Sequence, residues 1–205
     1  MSIFDYNGAA IVAMAGENCV GIACDRRLGI NQFQSISTNF QKVFQMNETC
    51  FVGLAGLATD VQTVHQLLKF RMNLHALREG REMKPQVVSS LVSSMLYERR
   101  FGPWFVCPVI AGLDEKGQPH LAAFDFIGAA CYAKDFVVNG TASEQLYGVC
   151  ESFWQPKMNP DQLAETLSQC LLAAVDRDCV SGWGGVVHVI SKDKVMTKVL
   201  KGRQD

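Results

Sequence analysis

The chain opens with two short apolar runs, residues 9–14 and 19–24, flanking Ala15-Gly16-Glu17-Asn18. Gly and Asn between apolar runs predict a β-hairpin. Residues 41–45 and 50–55 repeat the pattern and predict a second hairpin turning at Met46-Asn47-Glu48. The period then changes. Val61, Val64, Leu67, Leu68, Phe70, Leu74 and Leu77 recur at helical spacing, with Thr59 or Asp60 as the predicted cap and Gly80 as the stop. A second helix is predicted from Pro85, with Val88, Leu91, Val92, Met95 and Leu96 as its apolar stripe and Phe101-Gly102-Pro103 as its end. Strands are predicted again at 105–113, 120–126 and 136–140. Thr141 or Ser143 then opens a helix running through Cys150 and Phe153. Asn159-Pro160 opens another, whose buried face is Leu163, Leu167, Cys170, Leu171 and Ala174. Residues 184–191 and 195–200 close the chain as a hairpin around Lys192-Asp193-Lys194.

Strands, two helices, strands, two helices and strands follow one another. Consecutive hairpins imply antiparallel pairing rather than parallel crossovers. The arrangement that buries every apolar face is an α+β, four-layer αββα sandwich: two antiparallel sheets face to face, each covered by a helix pair. A hydrophobic content of 48% over 205 residues suits one domain spanning 1–205.

Charge narrows the function classes. The formal net charge is −1, so no strong field exists to recruit nucleic acid or an anionic membrane. No stretch approaches the roughly 18 apolar residues of a membrane span. The first residues have neither the basic nor the apolar region of a secretory signal. The eight cysteines include no Cys-x-x-Cys and sit mostly in apolar runs, which predicts small buried residues in a reducing compartment. The four histidines, His65, His75, His120 and His188, are scattered and read as packing or surface residues.

Several segments carry a resemblance. Cys24-Asp25-Arg26-Arg27-Leu28-Gly29, Phe40-Gln41-Lys42-Val43-Phe44 and Gly53-Leu54-Ala55-Gly56-Leu57-Ala58-Thr59-Asp60 come first. Ala111-Gly112-Leu113-Asp114, Gly140-Thr141-Ala142-Ser143 and Asp176-Arg177-Asp178-Cys179-Val180-Ser181-Gly182 follow in order. In order and spacing they resemble the β subunits of the proteasome, a branch of the N-terminal nucleophile hydrolases. The opening Met1-Ser2-Ile3-Phe4-Asp5-Tyr6-Asn7-Gly8, the stretch from Tyr97 to Pro103 and the closing Lys192-Asp193-Lys194 resemble the third β-type subgroup of the eukaryotic particle, whose members are not proteolytic.

The resemblance implies a specific chemistry. In the family's active members a Thr released after a Gly attacks with its hydroxyl and uses its own α-amino group as base. A Lys held by an Asp tunes that amine, and a Gly N–H stabilises the oxyanion. By resemblance Asp25 falls at the Lys-holding Asp, and Lys42 at the Lys after a one-residue insertion within 28–39. Gly56 falls at the oxyanion Gly, Thr141 at a helper Ser, and Asp178 and Ser181 at the remaining Asp and Ser. Gly8 falls before the cleavage point and Ala9 on the nucleophile. Ala9 has no hydroxyl or thiol, so the chain is expected to keep its first eight residues and to have no catalytic residue. Asp25 and Lys42 are then a buried ion pair held for packing, Gly56 a tight turn, and Thr141 a helix-start residue.

No cofactor is required. The resemblance also implies a structural Mg²⁺ site through backbone groups at Val175, Asp178 and Ser181, joined by Asp205. The implied partners are neighbouring β subunits, the α-ring and the opposite β-ring, in a hetero-oligomer of about 28 subunits. The implied location is the cytoplasm and nucleus. Asp114 is a candidate for bordering a neighbour's pocket, and Trp183 for either a ring–ring contact or a core plug. Two enzymatic alternatives stand beside this reading: an amidohydrolase using Ser2, and a cysteine hydrolase using Cys24 or Cys107.

Overall fold

The computed structural model describes residues 2–192 and 194–204. A single 3-10 turn, Ile3–Asp5, precedes the first strand. The strands are β1 (Ala10–Ala15), β2 (Cys19–Asp25), β3 (Leu28–Ile30), β4 (Gln34–Ser37), β5 (Val43–Asn47), β6 (Cys50–Gly56), β7 (Val106–Leu113), β8 (Pro119–Phe124), β9 (Ala130–Ala133), β10 (Phe136–Gly140), β11 (Gly185–Ser191) and β12 (Val195–Leu200). The helices are α1 (Ala58–Glu79), α2 (Pro85–Tyr97), α3 (Ser143–Phe153) and α4 (Pro160–Val175). The first sheet has the order β10-β1-β2-β11-β12, the second β5-β6-β7-β8-β9, and β3-β4 is a small separate ribbon. All pairings are antiparallel.

The strand period of two explains the layering. In β1, Ala10, Val12 and Met14 face a core shared with Leu146 of α3 and Leu163, Leu167 and Leu171 of α4. Ile11 and Ala13 face the opposite way, against Phe51, Val109 and Ala111 of the second sheet. The far face of that sheet, including Val52, Leu54 and Ile110, packs on α1 and α2 through Val61, Leu68, Val88 and Val92. Three cores between four layers give the αββα sandwich expected from the element order. Because both faces of β1, β2 and β6 are covered, these strands read as continuous apolar runs rather than alternating ones.

Several expectations need correction. Neither Thr59 nor Asp60 caps α1: the N-cap is Leu57, and the Asp60 carboxylate instead accepts the N–H of Phe105 at 2.9 Å. The first free N–H of the helix, at Ala58, is taken from a distance by the Asn7 side chain at 2.9 Å. Phe70 and Leu77, counted with the apolar stripe, are 62% and 85% exposed, and Met72 is buried on the face they were assigned to. Of the two residues expected to open α3, Ser143 is its first residue, while Thr141 lies before the N-cap, Ala142, which makes no side-chain bond. The pairs β3-β4 and the strand β9 were not expected. The predicted strand 120–126 stops at Phe124. Gly80 does end α1 in the left-handed conformation, and Asn159 with Gln162 forms a capping box on α4. At the last hairpin turn, Asp193 lies outside the described residues.

Candidate functional site

The residues singled out by the resemblance converge where β1 leaves the N-terminal segment. Asp25 ends β2 fully buried, and Lys42 lies just before β5 with 3% of its side chain exposed. The Lys42 ammonium donates to Asp25 Oδ1 at 2.7 Å and to the Gly8 carbonyl at 3.0 Å. Asp25 is further saturated by backbone donors: Ala10 N–H at 2.9 Å, Gly182 N–H at 3.1 Å and Arg27 N–H at 3.3 Å. This carboxylate therefore ties β1, β2, the loop before β5 and the loop before β11 to one point.

On the other side of Ala9 stands a hydroxyl–carboxylate chain. Thr141 N–H donates to the Ala9 carbonyl at 2.7 Å, and the Ala9 N–H donates to Thr141 Oγ1 at 3.2 Å. Thr141 Oγ1 has one proton, and its shortest contact, 2.7 Å, is to Asp178 Oδ2. Ser181 Oγ donates to the same oxygen at 2.7 Å. Thr141 is thus a link between β1 and the 178–181 loop, not the helix-start residue it was expected to be.

The chemistry this geometry permits is narrow. The side chain at the centre is the methyl of Ala9, which offers no hydroxyl or thiol. Lys42, which would otherwise face the nucleophile, is spent on Asp25 and the Gly8 carbonyl. Gly56 has φ +127°, and a Cβ there would collide with the Phe105 carbonyl oxygen. It shares with Asn7, Gly8, Ala9 and Lys42 a cavity of about 10 Å³. A single water needs roughly 10–15 Å³. The site has an intact electrostatic frame and no nucleophile at its centre, and the nearest open hollow, of about 100 Å³, lies between Phe4, Gly56, Cys107 and Thr141.

Three residues not singled out from the sequence complete the seal. Asn7 is buried, and its amide donates to the Gly29 carbonyl at 2.9 Å while its oxygen takes the Ala58 N–H. Arg27, 4% exposed, donates to the carbonyls of Val180 and Asn31, each at 3.0 Å. Phe4 packs edge-on to Phe105 and against Phe126 with ring centroids 5.7 and 5.3 Å away. All three lie inside segments that carry the resemblance, Arg27 in 24–29 and Phe4 and Asn7 in 1–8, but their partners depend on where the chain returns.

Of the metal-site residues, Val175, Asp178 and Ser181 line a polar hollow of about 120 Å³ with Asp176, Gly182 and Arg203, while Asp205 lies outside the described residues. The Asp178 carboxylate already accepts from Thr141, Ser181 and the Val180 N–H, and the Val175 carbonyl accepts the Asp178 N–H at 3.2 Å. A hard cation there would depend on second lone pairs of backbone oxygens and on water. Trp183 is half-buried with φ +60° between Gly182 and Gly184, and it belongs to none of the three cores.

The enzymatic alternatives fare poorly on the same geometry. Ser2 is exposed and occupied as the cap of the N-terminal turn, accepting the Phe4 N–H at 3.3 Å. Burial, reinforced by the Asp25 carboxylate, pushes the Cys24 thiol up to about 12. Burial, with Asp125 beside it, pushes Cys107 up to about 11. Neither is a thiolate at neutral pH, whereas a nucleophilic cysteine needs a lowered value. Iodoacetamide at pH 8 is expected to alkylate the exposed Cys131 and Cys179 and to spare Cys19, Cys24, Cys50 and Cys107 until the chain is unfolded. Peptide mass mapping of the native chain checks this, and early labelling of Cys24 or Cys107 would revive the cysteine hydrolase.

Comparison with known proteins agrees with this geometry. The family model described as "Proteasome subunit" matches residues 6–190. "Proteasome subunit beta type-3" of Picea mariana is 57% identical over 205 residues, covering 100% of both chains, and that of Oryza sativa subsp. japonica is 57% identical over the same extent. The Saccharomyces cerevisiae protein of that name is 52% identical over 200 residues, 97% of each chain. A family match over residues 6–190 and relatives more than half identical over the full length leave one assignment: the chain belongs to the proteasome subunit family.

Proposed function

We propose that the chain is a non-catalytic, structural β subunit of the proteasome core particle, building the inner β-ring around the proteolytic chamber used for ATP- and ubiquitin-dependent protein degradation. One observation carries the reading: at the position where the family's chemistry needs a Thr stands Ala9, a buried methyl set between the Asp25–Lys42 pair and Thr141. Its neighbours are β subunits on either side, the α-ring and the opposite β-ring. Supporting this, Phe33, Leu77 and Phe101 are 90%, 85% and 97% exposed, a pattern that suits contact surfaces better than solvent. Eight cysteines without a disulfide among the described residues favour the reducing cytoplasm and nucleus. A Mg²⁺ at the Val175–Ser181 loop would brace backbone oxygens and take no part in chemistry.

The test is the intact mass of this chain from the native particle. The expected chain begins at Met1 or Ser2 and retains every residue through Gly8. A chain beginning at Ala9 would mean that a neighbour processes it, and the reading would fall.

A further inference from the structure

The helix pair α3–α4 covers the outer face of the first sheet, and its two members are held unequally. α4 turns Leu163, Ala164, Leu167, Cys170, Leu171 and Ala174 into the core and opens on the Asn159–Gln162 capping box. α3, eleven residues long, buries only Leu146 and Cys150, and its N-cap has no side-chain bond. Gln145 adds to the imbalance. Its amide donates to the Arg177 carbonyl at 3.2 Å, while its Oε1 is buried with no hydrogen-bond partner. A helix of fewer than about 12 residues has little stability of its own. With so few buried side chains, α3 opens locally before α4 does.

Beneath α3 lie two thiols. Cys150 and Cys170 are each 0% exposed, in the core that α3 and α4 share with the first sheet. Their side chains hydrogen-bond to each other across the helix pair, whereas Cys19, the third thiol of that core, donates to the Met158 carbonyl at 3.7 Å. The pair is polarised. Cys150 donates to Cys170, which holds the Cys150 thiol up, and the same bond lowers Cys170 against the opposing effect of burial. Cys170 is therefore the sulfur with thiolate character, and the thiolate is the reactive form. Cys24 and Cys107 differ in this respect, since burial pushes both up. A disulfide brings two sulfurs to about 2 Å. From hydrogen-bond contact that is a short approach, and α3, the looser helix, can make it.

We propose that Cys150 and Cys170 form a redox latch, which a hydroperoxide closes into a disulfide that fastens α3 to α4. Opening of α3 admits the oxidant. The Cys170 thiolate attacks a peroxide oxygen, the O–O bond breaks, and the departing oxygen takes the proton that Cys170 gave up and leaves as water or alcohol. Cys170 is then a sulfenic acid. Cys150 attacks that sulfur, the S–S bond forms, the S–O bond breaks, and hydroxide leaves with the Cys150 proton as water. Two thiols lose two electrons in all, and one peroxide bond is reduced. A dithiol reductant reverses the change by thiol–disulfide exchange. Both sulfurs are covered until α3 lifts, so closure fixes the helix once it has loosened. The latch closes within one chain and needs no neighbour.

The test is hydrogen peroxide added to the folded full chain at neutral pH, followed by thiol blocking and digestion without reductant. Peptide mapping is expected to find Cys150 linked to Cys170 as the main disulfide within the chain, and dithiothreitol is expected to remove it. The amides of residues 147–153 are expected to exchange about tenfold or more slowly in the oxidised chain than in the reduced one. Cys150→Ser is expected to stop at a sulfenic acid on Cys170, captured by dimedone, while Cys170→Ser is expected to leave Cys150 without that adduct. Where either variant fails to fold, mapping and exchange of the unaltered sequence decide. Recovery of both thiols in reduced form, after the exposed Cys131 and Cys179 have been oxidised, overturns the proposal. So does a disulfide from either thiol to a different cysteine, or exchange in α3 that is equal in the two forms.

Discussion

Lys42→Met is expected to destabilise the chain by about 3–5 kcal/mol, because it leaves the Asp25 carboxylate charged and buried without its cation. The ammonium is held at 2.7 Å from Asp25 Oδ1, with both side chains at 3% exposure or less. Asp25→Leu is expected to cost at least as much. It strands the ammonium and also removes the acceptor of Ala10, Arg27 and Gly182 N–H, each worth about 1–3 kcal/mol when buried without a partner. The double variant separates two roles. A simple buried ion pair is often replaced by apolar residues of similar size at little cost. Here the three backbone N–H groups stay unsatisfied, and the Gly8 carbonyl loses its donor as well, so the double variant is expected to remain as unstable as Asp25→Leu. Urea denaturation of the isolated chain measures all three. Recovery of the double variant to near wild-type stability would mean that Asp25 serves Lys42 and not the backbone.

That cluster also marks where sequence reasoning was strong and where it stopped. The apolar runs of β1, β2 and β6, the Asn159–Gln162 capping box and the Gly80 stop are local signals, and the structure contains them. The ribbon β3-β4 was missed because its strands are only three and four residues long and β4 is mostly polar and exposed, and its shape comes from Arg27 reaching the Asn31 and Gln34 carbonyls. The cap of α1 was misplaced because a residue distant in sequence, Asn7, does the work that Thr59 or Asp60 was expected to do. Phe70 and Leu77 obey the helical period loosely and sit off the buried face. In the site, Asp25, Lys42, Gly56, Thr141, Asp178 and Ser181 were reached through the family resemblance, and the structure brings them together around Ala9. Their partners were not reached that way. The Gly8 carbonyl, Asn7 and the backbone at Val180 carry no side-chain signature that spacing could reveal.

Gly8→Ala is the sharpest probe of that hidden part. Gly8 has φ +74°, a left-handed conformation that costs an L-residue about 1–2 kcal/mol. A Cβ there would also collide with the Val180 carbonyl oxygen and stand 2.6 Å from its carbon. Val180 cannot yield freely, since its carbonyl holds Arg27 at 3.0 Å and its N–H is fixed by Asp178 at 3.2 Å. Nor can Gly8, whose carbonyl carries Lys42. Overpacking adds about 1–3 kcal/mol, for a total of about 2–5 kcal/mol. Gly80→Ala is the matched control: φ is +68°, yet nothing lies within 4 Å of the added carbon, so only the same conformational cost of about 1–2 kcal/mol is expected. Urea midpoints of the two variants isolate the contact from the backbone preference. In a processed relative this glycine would matter only until cleavage. A large difference between the two variants would show that here it is a permanent joint between the retained N-terminal segment and the 178–182 loop. Equal midpoints would mean that the segment is not held as described, and the sealed site with it.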